Sequence, residues 1–184
     1  MRAHFRAIGL GALSVFLVGH PATAGMSGAI FTTNQDGTFV NGNVYDGGDD
    51  VYLNGGPRAN RNCTAAGLPS GDYYFQITDP SGKERLSDYG HNNGVITVSG
   101  GVITLYAGSH VQGLGRCADV TVQLAPFGPT HNPGGEYKVW LTPVGSYACS
   151  QPATLCAGAF GFFTNSSKTD NFKVQPPEGG GQPD

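Results

Sequence analysis

From Tyr73 to Thr78 the side chains alternate, with Tyr73, Phe75 and Ile77 on one face and Tyr74, Gln76 and Thr78 on the other. A period of two marks a strand with one face on a core. Gly67-Leu68-Pro69-Ser70-Gly71 before it and Asp79-Pro80-Ser81-Gly82 after it read as turns, because proline presets φ and glycine accepts reversed geometry. Short runs of the same kind predict strands over Ala29 to Thr33, Thr38 to Tyr45, Asp50 to Leu53, Asp72 to Thr78, Val95 to Ser99 and Val102 to Tyr106. Further strands are predicted over Ala118 to Leu124, Glu136 to Pro143, Ala159 to Thr164 and Asn171 to Val174. Val95 to Leu105 reads as one hairpin, its Gly100-Gly101 able to take the positive φ angles of a primed turn. The likeness of V-I-T-V and V-I-T-L is hairpin symmetry, not a repeat of domain size. No window sustains a 3.6-residue apolar period. The pattern predicts an all-β, antiparallel sandwich with Phe75, Ile77, Ile103, Leu105, Val120, Val122, Leu124, Val139 and Leu141 inward.

The first 24 residues read differently. Arg2 and Arg6 precede an apolar run from Ala7 to Gly19, and Ala22-Thr23-Ala24 forms a small-residue cleavage signature, so residues 1–24 are expected to be a cleaved signal peptide. The run falls short of the ~20 residues of a spanning helix. This predicts a secreted, periplasmic or extracellular protein without a membrane span after cleavage. Residues 25–175 are expected to form one β-sandwich domain. Residues 176–184, Pro-Pro-Glu-Gly-Gly-Gly-Gln-Pro-Asp, have nothing large and apolar to bury and read as a disordered tail.

Glycine, at 30 of 184 residues, suits many short strands joined by tight turns. Beyond Ala24 the chain keeps eight basic and thirteen acidic residues, a formal charge of −5. Its Arg and Lys are scattered, so the charge pattern excludes a phosphate-tracking nucleic-acid binder. Cys63, Cys117, Cys149 and Cys156 form an even set in an exported chain, and two disulfides follow. Three pairings exist; nearness in sequence favours Cys149 with Cys156, leaving Cys63 with Cys117. The Cys-x6-Cys spacing does not match a zinc ribbon.

Leu68-Pro69-Ser70-Gly71-Asp72-Tyr73-Tyr74 resembles the L-P-x-G-x-Y motif that opens a strand in prealbumin-like domains of bacterial surface proteins, the collagen-adhesin B-type and serine-aspartate-repeat B-type modules. Asp36-Gly37-Thr38, Asn132 to Trp140 and Ser167 to Val174 resemble parts of a group of uncharacterised bacterial exported proteins. The resemblance implies an immunoglobulin/prealbumin-like Greek-key sandwich serving as a structural or adhesive module. A Lys–Asn isopeptide crosslink of such modules is not expected, since no lysine precedes Lys83. Their calcium sites direct attention to Asp46, Asp49 and Asp50, an acidic turn lacking the D-x-D-x-D-G register and closing Glu. It reads first as a solvated turn, with calcium as the alternative and no other cofactor implied.

No G-x-S-x-G, H-E-x-x-H or phosphate loop is present. His91, His110 and His131 are isolated, and an enzyme or inhibitor would need them to converge with groups such as Asp88, Asp119 or Glu136. A binding module is the better expectation. In Tyr137 to Thr142 the core face is Tyr137, Val139 and Leu141, which sends Trp140 outward beside Lys138 and Thr142. Trp140, Lys138 and Tyr74 are therefore the expected contact strip, for an extracellular protein or a glycan as in a carbohydrate-binding module, unless a loop covers them.

Overall fold

The computed structural model describes residues 26–175 apart from 43, 58–61, 66 and 151–154. The predicted signal peptide and tail lie outside the described residues. Among these residues the strands are β1 Ala29–Thr33, β2 Tyr52–Gly56, β3 Gly71–Thr78, β4 Val95–Ser99, β5 Val102–Ala107, β6 Gln112–Leu114, β7 Val120–Gln123, β8 Glu136–Pro143, β9 Cys149–Ser150, β10 Leu155–Cys156 and β11 Lys168–Lys173. One sheet has the order β1-β2-β7-β6 and a second the order β11-β8-β3-β4-β5, with β9 and β10 a separate hairpin. Every strand pairing is antiparallel. The only helical pieces described are the 3-10 turns Gly48–Asp50 and Val144–Ser146, so the described residues are all-β, as their alternation predicts.

The two sheets share one core. Ile30, Leu53 and Val122 of the first sheet meet Phe75, Ile77, Ile96, Ile103, Val139 and Leu141 of the second. Burying such a side chain is worth about 1.5–3 kcal/mol, and this common face is what fixes the strand registers. Gly100 and Gly101 take φ of 61° and 92° between Ser99 and Val102, the two-residue primed hairpin expected of them. Leu68 N–H donates to Gly101 O at 3.0 Å, an approach that requires Gly67, where a Cβ would stand 1.9 Å from that oxygen.

Leu105 corrects the predicted core. It is 56% exposed, because a register shift between Thr97 and Val98 inserts an extra residue opposite β4 and turns Tyr106 inward in its place. The described residues of Thr38 to Tyr45 form no strand either. Asp36 accepts from Thr38 N at 3.0 Å and Asn34 Oδ1 from Phe39 N at 2.9 Å, closing local turns, and only isolated bridges at Val40 and Tyr45 remain. Ala159 to Thr164 is likewise a tight turn, with positive φ at Phe160 and Gly161 and one bridge from Ala159 to Phe162. β2 begins two residues late because Gly48–Asp50 coils into its 3-10 turn.

Candidate functional site

The outward face of the five-stranded sheet carries the expected contact strip, and the chain covers it. Trp140 is 5% exposed, its Nε1–H donating to Thr78 Oγ1 at 2.9 Å and its ring 6.3 Å from that of fully buried Phe162. Phe162 belongs to the connection after β8, whose Tyr147, Ala159 and Phe162 lie over β8 and β3; Gln76 Nε2 reaches Ala159 O at 3.4 Å. Lys138 Nζ bonds Pro80 O and lies 5.4 Å from the Trp140 ring centroid. Tyr74 is half-buried, edge-on to Tyr147 at 5.1 Å. Trp140, Lys138 and Tyr74 are thus neighbours of a second small core and not an open aromatic platform.

The acidic turn also falls short of a ligand set. Asp49 and Asp50 line a shallow cleft of about 530 Å³ with Asp36, from which Asp46 is absent. Among the described residues no group of three or more His, Cys, Asp or Glu is placed to hold a metal. Asp36 is held below its usual pKa by the bonds to Thr38. The other titratable candidates stand apart. His131 Nδ1 pairs with Glu84 at 2.9 Å, which raises its pKa; Glu136 pairs with Lys173 at 3.6 Å; Asp119 accepts from Cys117 N at 2.7 Å; His91 Nδ1 meets Tyr147 Oη at 3.2 Å. His110 is buried edge-on to Phe75 at 5.2 Å, and burial lowers its pKa.

Geometry instead singles out one end of the sandwich. Antiparallel alternation brings the β2–β3, β4–β5, β6–β7 and β8–β11 connections to the same end. Cys63–Cys117 ties the first of these to the third, and Cys149–Cys156 closes the fourth, so both disulfides are in the expected pairing and both sit in this loop set. Tyr73 Oη donates to Pro69 O at 2.7 Å and Thr142 Oγ1 to Ser166 O at 3.0 Å, fixing two loop roots to the strands below them. Between the roots lies a cleft of about 340 Å³ lined by Met26, Pro69, Ser70, Gly71, Asp72, Tyr73, Pro143, Ser146, Asn165 and Ser166. Its floor is apolar, with Met26 packed on the core, and its rim is hydroxyl and amide. Asp72, the carboxylate there, accepts from Thr97 Oγ1 at 2.7 Å.

Sequence reasoning passed over Met26, Ser146, Asn165 and Ser166, because turn residues carry no periodic signal. The cysteines did mark the loops they pin. No family model, curated protein or solved structure matches the chain.

Proposed function

We propose that this chain is an exported, non-catalytic recognition or adhesive module, built as a Greek-key sandwich of immunoglobulin variable type, whose disulfide-pinned loop end is the contact surface. The strand orders support the fold. Variable-type domains order one sheet A-B-E-D and the other G-F-C-C′-C″. Here β1-β2-β7-β6 and β11-β8-β3-β4-β5 follow those two orders. Tyr137, at the start of the strand equivalent to F, accepts from Thr130 N at 3.2 Å, a bond back to the preceding corner of the kind that such domains make. The chain departs from antibody domains in having no tryptophan on β3 and in placing its disulfides between and within loops, not between sheets. The prealbumin-like resemblance of Leu68 to Tyr74 is compatible with the same Greek-key plan.

The observation that carries the functional reading is that Cys63–Cys117 ties together two connections of the end holding the apolar-floored cleft, while Cys149–Cys156 closes a hairpin within a third. A loop fixed before binding does not lose its freedom on binding, and preorganised loops on a rigid sandwich are a common way to present a contact surface. An uncharged ligand with apolar and hydroxyl groups, a glycan or an extended peptide, suits this lining. The pairing of the four cysteines fits an oxidising, extracellular setting. No described helix is long and apolar enough to cross a membrane.

Glycan and peptide arrays probed with the labelled mature domain test the reading. Ser146→Arg with Asn165→Arg fills the cleft rim at two exposed positions and is expected to weaken any hit at least tenfold, about 1.4 kcal/mol. Undiminished binding by this variant would move the site elsewhere.

A further inference from the structure

The outward face of the four-stranded sheet holds a cleft away from the disulfide-pinned loops. Leu53 of β2 points into the core, so its neighbour Tyr52 points out of the sheet. Two segments of the chain are fastened to this face through their backbone oxygens. Thr121 Oγ1 donates to Gln35 O at 2.6 Å and Gln35 Nε2 to Gln112 O at 3.3 Å, which carries the turn after β1 across β7 to β6. Gly113 permits the approach, because a Cβ there would stand 2.0 Å from Gln35 O. Gln123 Nε2 donates to Asp49 O at 2.8 Å and holds the Gly48–Asp50 turn beside β7. The cleft of about 530 Å³ is lined by Asp36 of the first segment, Asp49 and Asp50 of the second, Tyr52 of β2 and Leu114 of β6.

Its charge is unanswered by the chain. Asp36, Asp49 and Asp50 are exposed, and the ion pairs described are Arg85–Asp88, His131–Glu84 and Lys173–Glu136, so no cation pairs with these three carboxylates among the described residues. A cleft lined by one sign of charge concentrates the opposite sign. Tyr52 is a separate sign of a ligand. It is only 6% exposed and lines the cleft, yet its hydroxyl has no hydrogen-bond partner among the described residues. Burial, and then the nearby Asp50 and Asp49, raise its pKa, so the hydroxyl stays neutral and offers its lone pairs to a donor. Leu114, 65% exposed, supplies an apolar wall. The carboxylates are not placed to share one metal ion. A fitting ligand therefore spreads its positive charge over several groups.

We infer that this cleft binds an alkyl polyammonium, two or more ammonium groups joined by an aliphatic chain, either as a free polyamine or as neighbouring lysine side chains of a peptide. Ammonium groups pair with Asp36 on one segment and with Asp49 and Asp50 on the other, one of their N–H groups donates to Tyr52 Oη, and the methylenes lie on Leu114. Both lining segments are fixed to the sheet before binding, which lowers the ordering cost. The volume falls within the range of small-molecule sites.

Calorimetric titration of the mature chain with spermidine, and separately with end-capped trilysine, tests this. At low ionic strength at least one probe is expected to bind at a single site and to weaken as salt is added; the tighter of the two tells the free amine from the peptide. Asp49→Asn with Asp50→Asn should weaken binding about tenfold and Tyr52→Phe about fivefold. Asp46→Asn with Asp88→Asn removes the same charge at exposed positions outside the cleft and should change it less than about twofold. The segments are held by backbone oxygens, so the neutralised variants should keep the wild-type far-ultraviolet spectrum. No binding of either probe at up to about 10 mM, or an equal loss in the two pairs of variants, overturns the site. Ser146→Arg with Asn165→Arg should bind both probes as wild type does, which separates this result from the loop-end reading.

Discussion

Phe162→Ala should detach the cover from the outward face of the five-stranded sheet while leaving the sandwich folded. Phe162 is fully buried between Trp140 at 6.3 Å and Tyr147 at 5.2 Å between ring centroids, and none of these three belongs to the main core. Truncating a buried phenylalanine costs about 3–5 kcal/mol. Among the described residues, the side-chain bonds that tie its loop to the sheet are Gln76 Nε2 to Ala159 O at 3.4 Å and Thr142 Oγ1 to Ser166 O at 3.0 Å, together about 2 kcal/mol at the usual net value. The loss therefore exceeds what the remaining bonds supply, and the cover opens before the core does. Trp140 is the only tryptophan in the chain and lies under this cover, so its emission reports the opening alone. In urea, wild type should show coincident fluorescence and circular-dichroism transitions. Phe162→Ala should show a red-shifted emission in water and a circular-dichroism midpoint close to wild type. Unshifted emission, or a circular-dichroism midpoint lowered by the full 3 kcal/mol or more, would refute the independence of the two cores.

Other consequences are as direct. Thr78→Val should cost about 1–3 kcal/mol in urea unfolding, because it leaves the buried Trp140 Nε1–H without its acceptor. His110 has a folded pKa lowered by burial, so the unfolded chain takes up the proton first; its contribution is whole above the unfolded value near 6.5 and is lost as pH falls from there toward the folded one. His110→Phe should flatten that slope in a plot of melting temperature against pH, and an unchanged slope would assign it to another group. Replacing Cys63 and Cys117 by serine opens a loop of 54 residues and should lower stability by about 4 kcal/mol, against about 2.5 kcal/mol for the Cys149–Cys156 pair separated by 7 residues.

The sandwich was legible where alternation is strong. β3, β4 and β8 lie within a residue of their predicted bounds, because each carries branched or aromatic side chains on a shared inward face. Legibility failed where local hydrogen bonds compete with a strand pattern, as at Asp36 and Asn34, and where a bulge resets the alternation, as at Leu105. β6, Gln112-Gly113-Leu114, is too short to show a period. The outward placement of Trp140 was correct as a sheet position, but its burial depends on Phe162 arriving from 22 residues further along, a contact that periodicity does not encode. The two disulfides could be paired by proximity. That their loops share one end of the molecule follows only from the strand order.

Hydrogen–deuterium exchange of the domain, free and saturated with a ligand found on the arrays, tests the loop-end surface most directly. The account predicts slowed exchange at residues 67–73, 143–146 and 165–166, around the cleft of Met26, Pro69, Ser146 and Asn165. Protection confined to the acidic turn at residues 46–50, or to the segment 79–92 beside Trp140, with the loop end unaffected, would contradict it.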